Sequence, residues 1–447
     1  MTKDLTVGSP FKLIIKFAIP LLLGNLLQQA YNIADAIIVG KYLGSNELAS
    51  VGASSSVQFL VLGFCIGLCC GFGIPIAQRF GAGDKDEMRS FVFHSMILTV
   101  CFAVVLTLVC VIECTNILHL LKTPDDIFKD AYIYLVIIFA GIPFSLLYNL
   151  MAAILRAVGD SKTPFIFLAI STVLNIALDL IFIMVLHWGC MGAAAATVTA
   201  QGVSGILCVV YMNRKFPVLH LSKTDCRIKG NNVRKMLVMG VPMGLQYSIT
   251  AIGSMVMQSA NNGLGSVYIS GFTAAARIKQ FAICPFDAFA TAVSTFCSQN
   301  LGAGKVDRIK TGLRHGVIIG MSYGACMGLI LIFAGRLLSG FFVRSDEVEV
   351  LNASAKYLKC LGMFMWAPGM LNVCRMTTQG LGFPYRALLS GAFEMAARIF
   401  VSLVFVPLYG FTAICFTDQS AWLSACFYIV PTCIFCVSRQ QKKQKII

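Results

Sequence analysis

Four polar side chains recur in an otherwise apolar stretch as Asn25, Gln28, Asn32 and Asp35, at steps of three, four and three residues. That spacing puts all four on one face of an α-helix. A second pair, Asn175 and Asp179, is one turn apart and shares a face in the same way. Thr197 and Tyr134 lie in neighbouring apolar stretches. A polar stripe in such surroundings must face protein or water, because hydrocarbon cannot satisfy it. Two carboxylates beside one cavity repel when both are ionised. A proton, a Na+ ion or a cationic ligand relieves the repulsion, and competition among them for one site is the chemistry of exchange. The alternative is that structural hydrogen bonds satisfy both acids, although ionisable groups inside apolar spans mark functional sites by default.

The second half of the chain carries the same faces in altered form. At an offset of 222 the first stripe maps onto Tyr247, Thr250, Ser254 and Met257, so the acid is replaced by an apolar residue. At an offset of 219, Asn175 and Asp179 become Glu394 and Arg398. An acid and a base at i and i+4 read as a self-neutralised pair. Arg277, Lys279 and Asp287 fall together in one apolar stretch, where they either line a cavity or pair within their lobe. Asp418 is placed near the outer face. The candidate lining residues are Gln28, Asn32, Tyr247, Thr250, Ser254, Arg277 and Asp287.

Long apolar helices must hold these faces. Hydrophobic residues make up 57% of the 447 and charged residues 12%, about half the ~25% of a soluble domain. A bilayer span needs about 20 apolar residues. Twelve such runs are found near 13–39, 48–77, 91–112, 131–155, 164–186, 189–213, 236–260, 267–299, 315–335, 356–378, 385–407 and 409–437. The segment Gln78-Arg79-Phe80-Gly81-Ala82-Gly83 returns 221 residues later as Gln299-Asn300-Leu301-Gly302-Ala303-Gly304. Asp86, Arg89 and His94 match Asp307, Lys310 and His315 at the same offset. Pro20 matches Pro242, and Pro164 matches Pro384. The first pair has apolar residues on both sides and is read as a bend in each lobe's first helix; the second pair marks either a bend or a helix start. The expected fold is an all-α integral membrane protein, twelve transmembrane helices in two parallel six-helix lobes related by pseudo-two-fold symmetry. The lobes are expected at 1–212 and 236–437, joined by a basic linker at 213–235 and followed by a basic tail at 438–447.

The net charge of +15 does not indicate nucleic acid once it is mapped. With the N-terminus inside, 25 of the 35 Lys and Arg fall at cytoplasmic ends and loops. Seven lie outside, at Lys41, Lys122, Lys129, Arg336, Arg344, Lys356 and Lys359. The linker alone carries seven, Lys223 among them. This positive-inside bias predicts cytoplasmic termini in a plasma membrane. The eighteen Cys sit mostly within spans as small apolar residues and form no metal-ligand spacing. No nucleophile–base pair appears, so no enzyme is expected. The Gly-Ala-Gly segments lack the Lys-Ser/Thr ending of a phosphate-binding loop and read as helix caps. No pore-ring motif or sensory domain supports a channel or a receptor.

Together these motifs resemble the MATE (multidrug and toxic compound extrusion) family over nearly the whole chain. The specific parts are the twin Gln-x-x-Gly-Ala-Gly segments, Gly240-Val241-Pro242-Met243-Gly244-Leu245-Gln246, and Arg156-Ala157-Val158-Gly159-Asp160-Ser161-Lys162-Thr163-Pro164. The resemblance implies a secondary antiporter that works by alternating access, exporting amphipathic or cationic drugs against H+ or Na+. Within the family the chain looks like the DinF-type branch, whose first-helix Pro and Asp match Pro20 and Asp35. That branch implies a cation- or proton-coupling cluster of Asp35, Asn175, Asp179, Thr197 and Tyr134, with Pro20 bending the first helix. The glutamate of the NorM-type seventh helix has no counterpart at Ile249-Thr250-Ala251-Ile252. No cofactor or structural metal is implied beyond the coupling ion, with Na+ possible at Asp35 and Asp179. Expected partners are small organic substrates and membrane lipids, with the protein monomeric. A flippase of a lipid-linked precursor is the alternative; it would favour more cavity cations than Arg277, Lys279 and Arg398.

Overall fold

The computed structural model describes residues 3–121, 123–222, 225–344 and 346–446. Lys122 and Lys223, counted above among the loop charges, lie outside them. The described chain is all helix and connecting turns. Its helices are α1 (Pro10–Tyr42), α2 (Ser45–Gly81), α3 (Lys85–Ile112), α4 (Cys114–Leu120), α5 (Asp125–Ala140), α6 (Ile142–Ala157), α7 (Lys162–Leu180) and α8 (Gly189–Lys215). They continue as α9 (Gly230–Asn262), α10 (Ser266–Gly302), α11 (Val306–Ser339), α12 (Val348–Met363), α13 (Trp366–Gly380), α14 (Pro384–Phe400), α15 (Val406–Tyr409) and α16 (Phe411–Ile446).

Among the described residues, ten helices are long and apolar enough to cross a membrane. An eleventh span is the pair α5 and α6, bent by 44° at Gly141. The twelfth expected span, 356–378, is broken at Phe364–Met365 into α12 and α13, each too short to cross alone. Pro20 and Pro242 lie inside helices, whereas Pro164 and Pro384 open α7 and α14. That order follows from proline's missing N–H, which costs nothing in a first turn and a hydrogen bond further in.

The chain forms two compact units, and they do not follow the expected partition at 212 and 236. One comprises Leu23–Gly244 with residues 3–4, the other Leu5–Leu22 with everything from Leu245 on. The start of α1 therefore belongs with the second half of the sequence, and the start of α9 with the first half. Each changeover falls two residues beyond a matched proline. Packing explains the exchange. Leu5, Ile14, Phe17 and Ala18 are buried in the core of the second unit. In the first unit, a Cβ added at Gly67 or Gly71 of α2 would meet the α9 backbone at Met243 O (2.5 Å) or Gly240 Cα (2.6 Å). Among apolar helices in lipid, such close contact of small residues replaces the hydrophobic effect as the associating force.

Parts of the linker are helical. Residues 213–215 finish α8, Pro217–Leu219 make a 3-10 turn and 230–235 open α9. Residues 438–446 continue α16, so no separate tail exists there. The twin motifs cap helices as read: Gly83 and Gly304 have φ of 75° and 69°, a conformation that glycine adopts without strain. The same regions also hold the segment leading into the exchanged helix start. In the second unit, Leu5 N donates to Gln299 Oε1 (2.9 Å), and Lys305 Nζ donates to Thr6 O (3.0 Å). In the first, Lys229 N donates to His94 Nε2 (2.9 Å), and Asn232 Nδ2 donates to Ser90 Oγ (3.1 Å).

Candidate functional site

Within the first unit, α1, α7, α8 and α5 bring together Asp35, Asn175 with Asp179, Thr197 and Tyr134. Asp179 is fully buried, and Asn175, Tyr134 and Thr197 nearly so. Asp35 is half-buried, while Gln28 and Asn32 on the same helix are exposed. The stripe read from the sequence is thus graded, open at Gln28 and Asn32 and closing at Asp35. The carboxyl groups of Asp35 and Asp179 lie within hydrogen-bonding reach of each other. The Asn175 amide, turned to suit its neighbours, donates to Asp179 Oδ2 (3.1 Å) and accepts from Thr197 N (3.2 Å). Tyr31, which the sequence did not single out, places its hydroxyl 3.4 Å from Thr197 Oγ1. It sits one turn before Asp35, a spacing that could have flagged it. Tyr134 reaches Gln58 and lies in the field of both acids.

Each acid keeps one enclosed oxygen without a protein partner, Asp35 Oδ1 and Asp179 Oδ1. Enclosed carboxylate oxygens are costly when unmatched. Two carboxyl groups in contact need positive charge between them, as a shared proton or a bound cation. The donor set is all oxygen, with Asn175 and Thr197 alongside, which suits a small hard cation as well as a proton. Directly after Asp179, residues Ile181–Val185 form a π-helical turn. Such turns often accompany functional sites because they re-aim the side chains beside them. A second π turn, Val401–Phe405, follows Arg398 at the repeat offset.

The second unit treats its polar groups differently. Thr250 and Ser254 bond back to carbonyls one turn earlier on their own helix, at 3.0 and 3.2 Å. Met257 is buried. Glu394 and Arg398 do pair, at 2.9 Å, but within a larger assembly. Arg375 binds Glu394 at 2.6 Å, and Arg398 binds Asp418 at 3.1 Å. Lys279 binds Asp418 at 2.7 Å, and Tyr357 donates to Asp418 at 2.6 Å. Asp418, two turns into α16, is fully buried within this network. Arg375, counted from the sequence with the cytoplasmic charges, is 5% exposed and joins the core of the network. Only the apolar run around it could have signalled this. Arg277 is exposed; so is Asp287, whose partner is Asn372 at 3.3 Å.

The comparisons with known proteins agree with this architecture. The profile of the MatE family matches residues 20–181 and 242–404, one stretch in each repeat. A probable multidrug resistance protein of Bacillus subtilis (strain 168), YpnP, is 30% identical over 94% of this chain and 91% of its own length. The multidrug export protein MepA of Staphylococcus saprophyticus (strain ATCC 15305) is 24% identical over 91% of this chain and 90% of its own. An outward-facing multidrug resistance MATE-family transporter of the MOP superfamily superposes with a TM-score of 0.92, at 22% identity, covering 98% of this chain and 99% of that one. With its repeated MatE match, its all-helical membrane architecture and a full-length relative at 30% identity, the chain belongs to the MatE family of membrane transporters.

Proposed function

We propose that the protein is a secondary antiporter that exports amphipathic or cationic drugs in exchange for H+ or Na+, with Asp35 and Asp179 as the coupling pair. The observation that carries this reading is the contact of two carboxyl groups, each with an unmatched enclosed oxygen, and no cationic side chain paired with either among the described residues. In one stage of the cycle the pair holds a proton or Na+. In the other it is vacated, and its negative charge favours the cationic substrate. Asn175, Thr197, Tyr31 and Tyr134 keep the acids oriented, and Gln28 and Asn32 form the polar approach. Pro20 lets α1 bend where its two halves join different units. The names of the B. subtilis and S. saprophyticus relatives support the drug class. The bias of basic residues supports cytoplasmic termini in a plasma membrane.

The test is efflux of a fluorescent organic cation from proteoliposomes under separately imposed H+ and Na+ gradients. Exchange driven by one of them, and lost in folded Asp35→Asn and Asp179→Asn proteins, is the expected result. Full exchange by either variant removes that acid from the coupling. Movement of labelled lipid between leaflets without any response to drugs replaces the antiport reading with a flippase.

A further inference from the structure

The duplication supplies an internal control for a second site, which does not depend on the antiport reading. In the first unit, the start of α3 carries Arg89, Ser90 and His94; the charge of Arg89 is paired with carboxylates, and both ring nitrogens of His94 are used. Arg89 lies 3.5 Å from Asp225, a residue 7% exposed. His94 uses both ring nitrogens, on Ser90 O (2.6 Å) and Lys229 N (2.9 Å). At the repeat offset, the start of α11 carries Lys310, Thr311 and His315, with Arg314 in place of Phe93. Here Lys310, Thr311, Arg314, His315 and Ile318 line an open pocket of about 500 Å³, with no carboxylate among them. Lys310 donates to the neutral amide of Gln441 (2.6 Å). Asp307, one turn earlier, accepts from the same amide (3.4 Å). His315 Nδ1 is enclosed and has no partner, and the ring meets Phe11 edge-on at 5.7 Å. One copy therefore holds a carboxylate where the other presents cations to an open pocket.

The surroundings identify what would bind. Arg314, Ile318, Leu329 and Phe333 are all exposed, and steps of four, eleven and four residues put them on one face of α11. That face is cationic at its start and apolar beyond, as a helix meeting lipid should be. With 34 residues, α11 is about 50 Å long, while the hydrocarbon core of a bilayer is about 30 Å thick. Its first turns therefore reach the headgroup layer. We propose that this pocket binds the phosphate of an anionic phospholipid, with Lys310 and Arg314 on the phosphate oxygens and the acyl chains along Ile318. Basic pockets on membrane proteins recognise such headgroups by charge and position together.

Native mass spectrometry of the full-length protein in detergent, titrated with phosphatidylglycerol or phosphatidylcholine, tests the assignment. The expected result is retention of phosphatidylglycerol at least tenfold tighter than phosphatidylcholine. In Lys310→Gln/Arg314→Gln, phosphatidylglycerol binding weakens roughly thirty-fold, the effect of two charges at a lipid surface. Should the double variant not fold, Arg314→Glu alone serves and must also lose the preference. Equal retention of the two lipids by the unaltered protein, or unchanged phosphatidylglycerol binding in folded variants, overturns the proposal. Displacement of the lipid by millimolar inorganic phosphate overturns it in favour of a soluble-phosphate site.

Discussion

The two units differ most at corresponding places on their helices. In the first, Asn175 and Asp179 meet Asp35, leaving two acids in contact with no basic side chain paired to them among the described residues. In the second, the residues at the same repeat positions are Glu394 and Arg398, tied to Arg375, Asp418, Lys279 and Tyr357 by contacts of 2.6–3.1 Å. Duplication has kept the polar face in both copies and reversed its consequence. One face leaves its two acids without a paired cation among the described residues, and the other carries its counter-charges within the protein. On the antiport proposed above, a site that releases its ion in every cycle could not also be held closed by a guanidinium.

The comparison breaks hardest at the acids. Asp35→Asn or Asp179→Asn should abolish gradient-driven exchange in proteoliposomes while the melting temperature holds or rises, because a mutual repulsion is removed. The opposite signature is expected in the second unit. Glu394→Gln strands Arg375 and leaves Arg398 with Asp418 alone, and should destabilise the protein by about 3–5 kcal/mol in thermal or denaturant melts. Restoration of part of that loss by adding Arg375→Gln would assign it to the stranded charge, and no restoration would point to packing. Next in size is the bend: Pro20→Ala should slow exchange about tenfold, equivalent to ~1.4 kcal/mol in a barrier, with folded yield unchanged. Unaltered turnover would mean that α1 need not flex there.

The smallest expected effect concerns the linker. Asp225 lies outside the spans. Burial alone would raise its pKa, but hydrogen bonds from Ser222 and the charges of Arg89 and Lys229 outweigh that and hold it below the usual carboxylate range. Its contribution to stability is therefore complete above the pKa of an exposed aspartate, near 4, and is lost as pH falls through the lower folded value. Asp225→Asn should cost about 1 kcal/mol at neutral pH and nothing measurable in strong acid. An equal cost at both pH values would show that the charge plays no part.

Much of the site was legible because helical spacing is rigid. Once Asn25 to Asp35 and Asn175 to Asp179 are read as helix faces, their apolar setting forces them inward. The prolines sit where their position in each run suggested, Pro20 and Pro242 inside α1 and α9, Pro164 and Pro384 in the first turns of α7 and α14. Arg375 escaped because one residue near a predicted span end cannot be placed in depth to within a turn, and a turn separates a headgroup from a buried ion pair. Tyr31 escaped because an aromatic on a polar stripe passes for packing. The exchange of helix starts had no periodic signature at all. It depends on glycine contacts such as Gly71 with Gly240, whose partners are far apart in sequence.

That exchange limits how the chain can be made or divided. A fragment ending within 213–235 would carry residues 5–22 without the helices they pack among, and would leave α2 with an open glycine groove. Neither half can mature before the other has been synthesised, so translation must run past Gly244 before the first-made lobe is whole, and severed halves should regain function only when produced together.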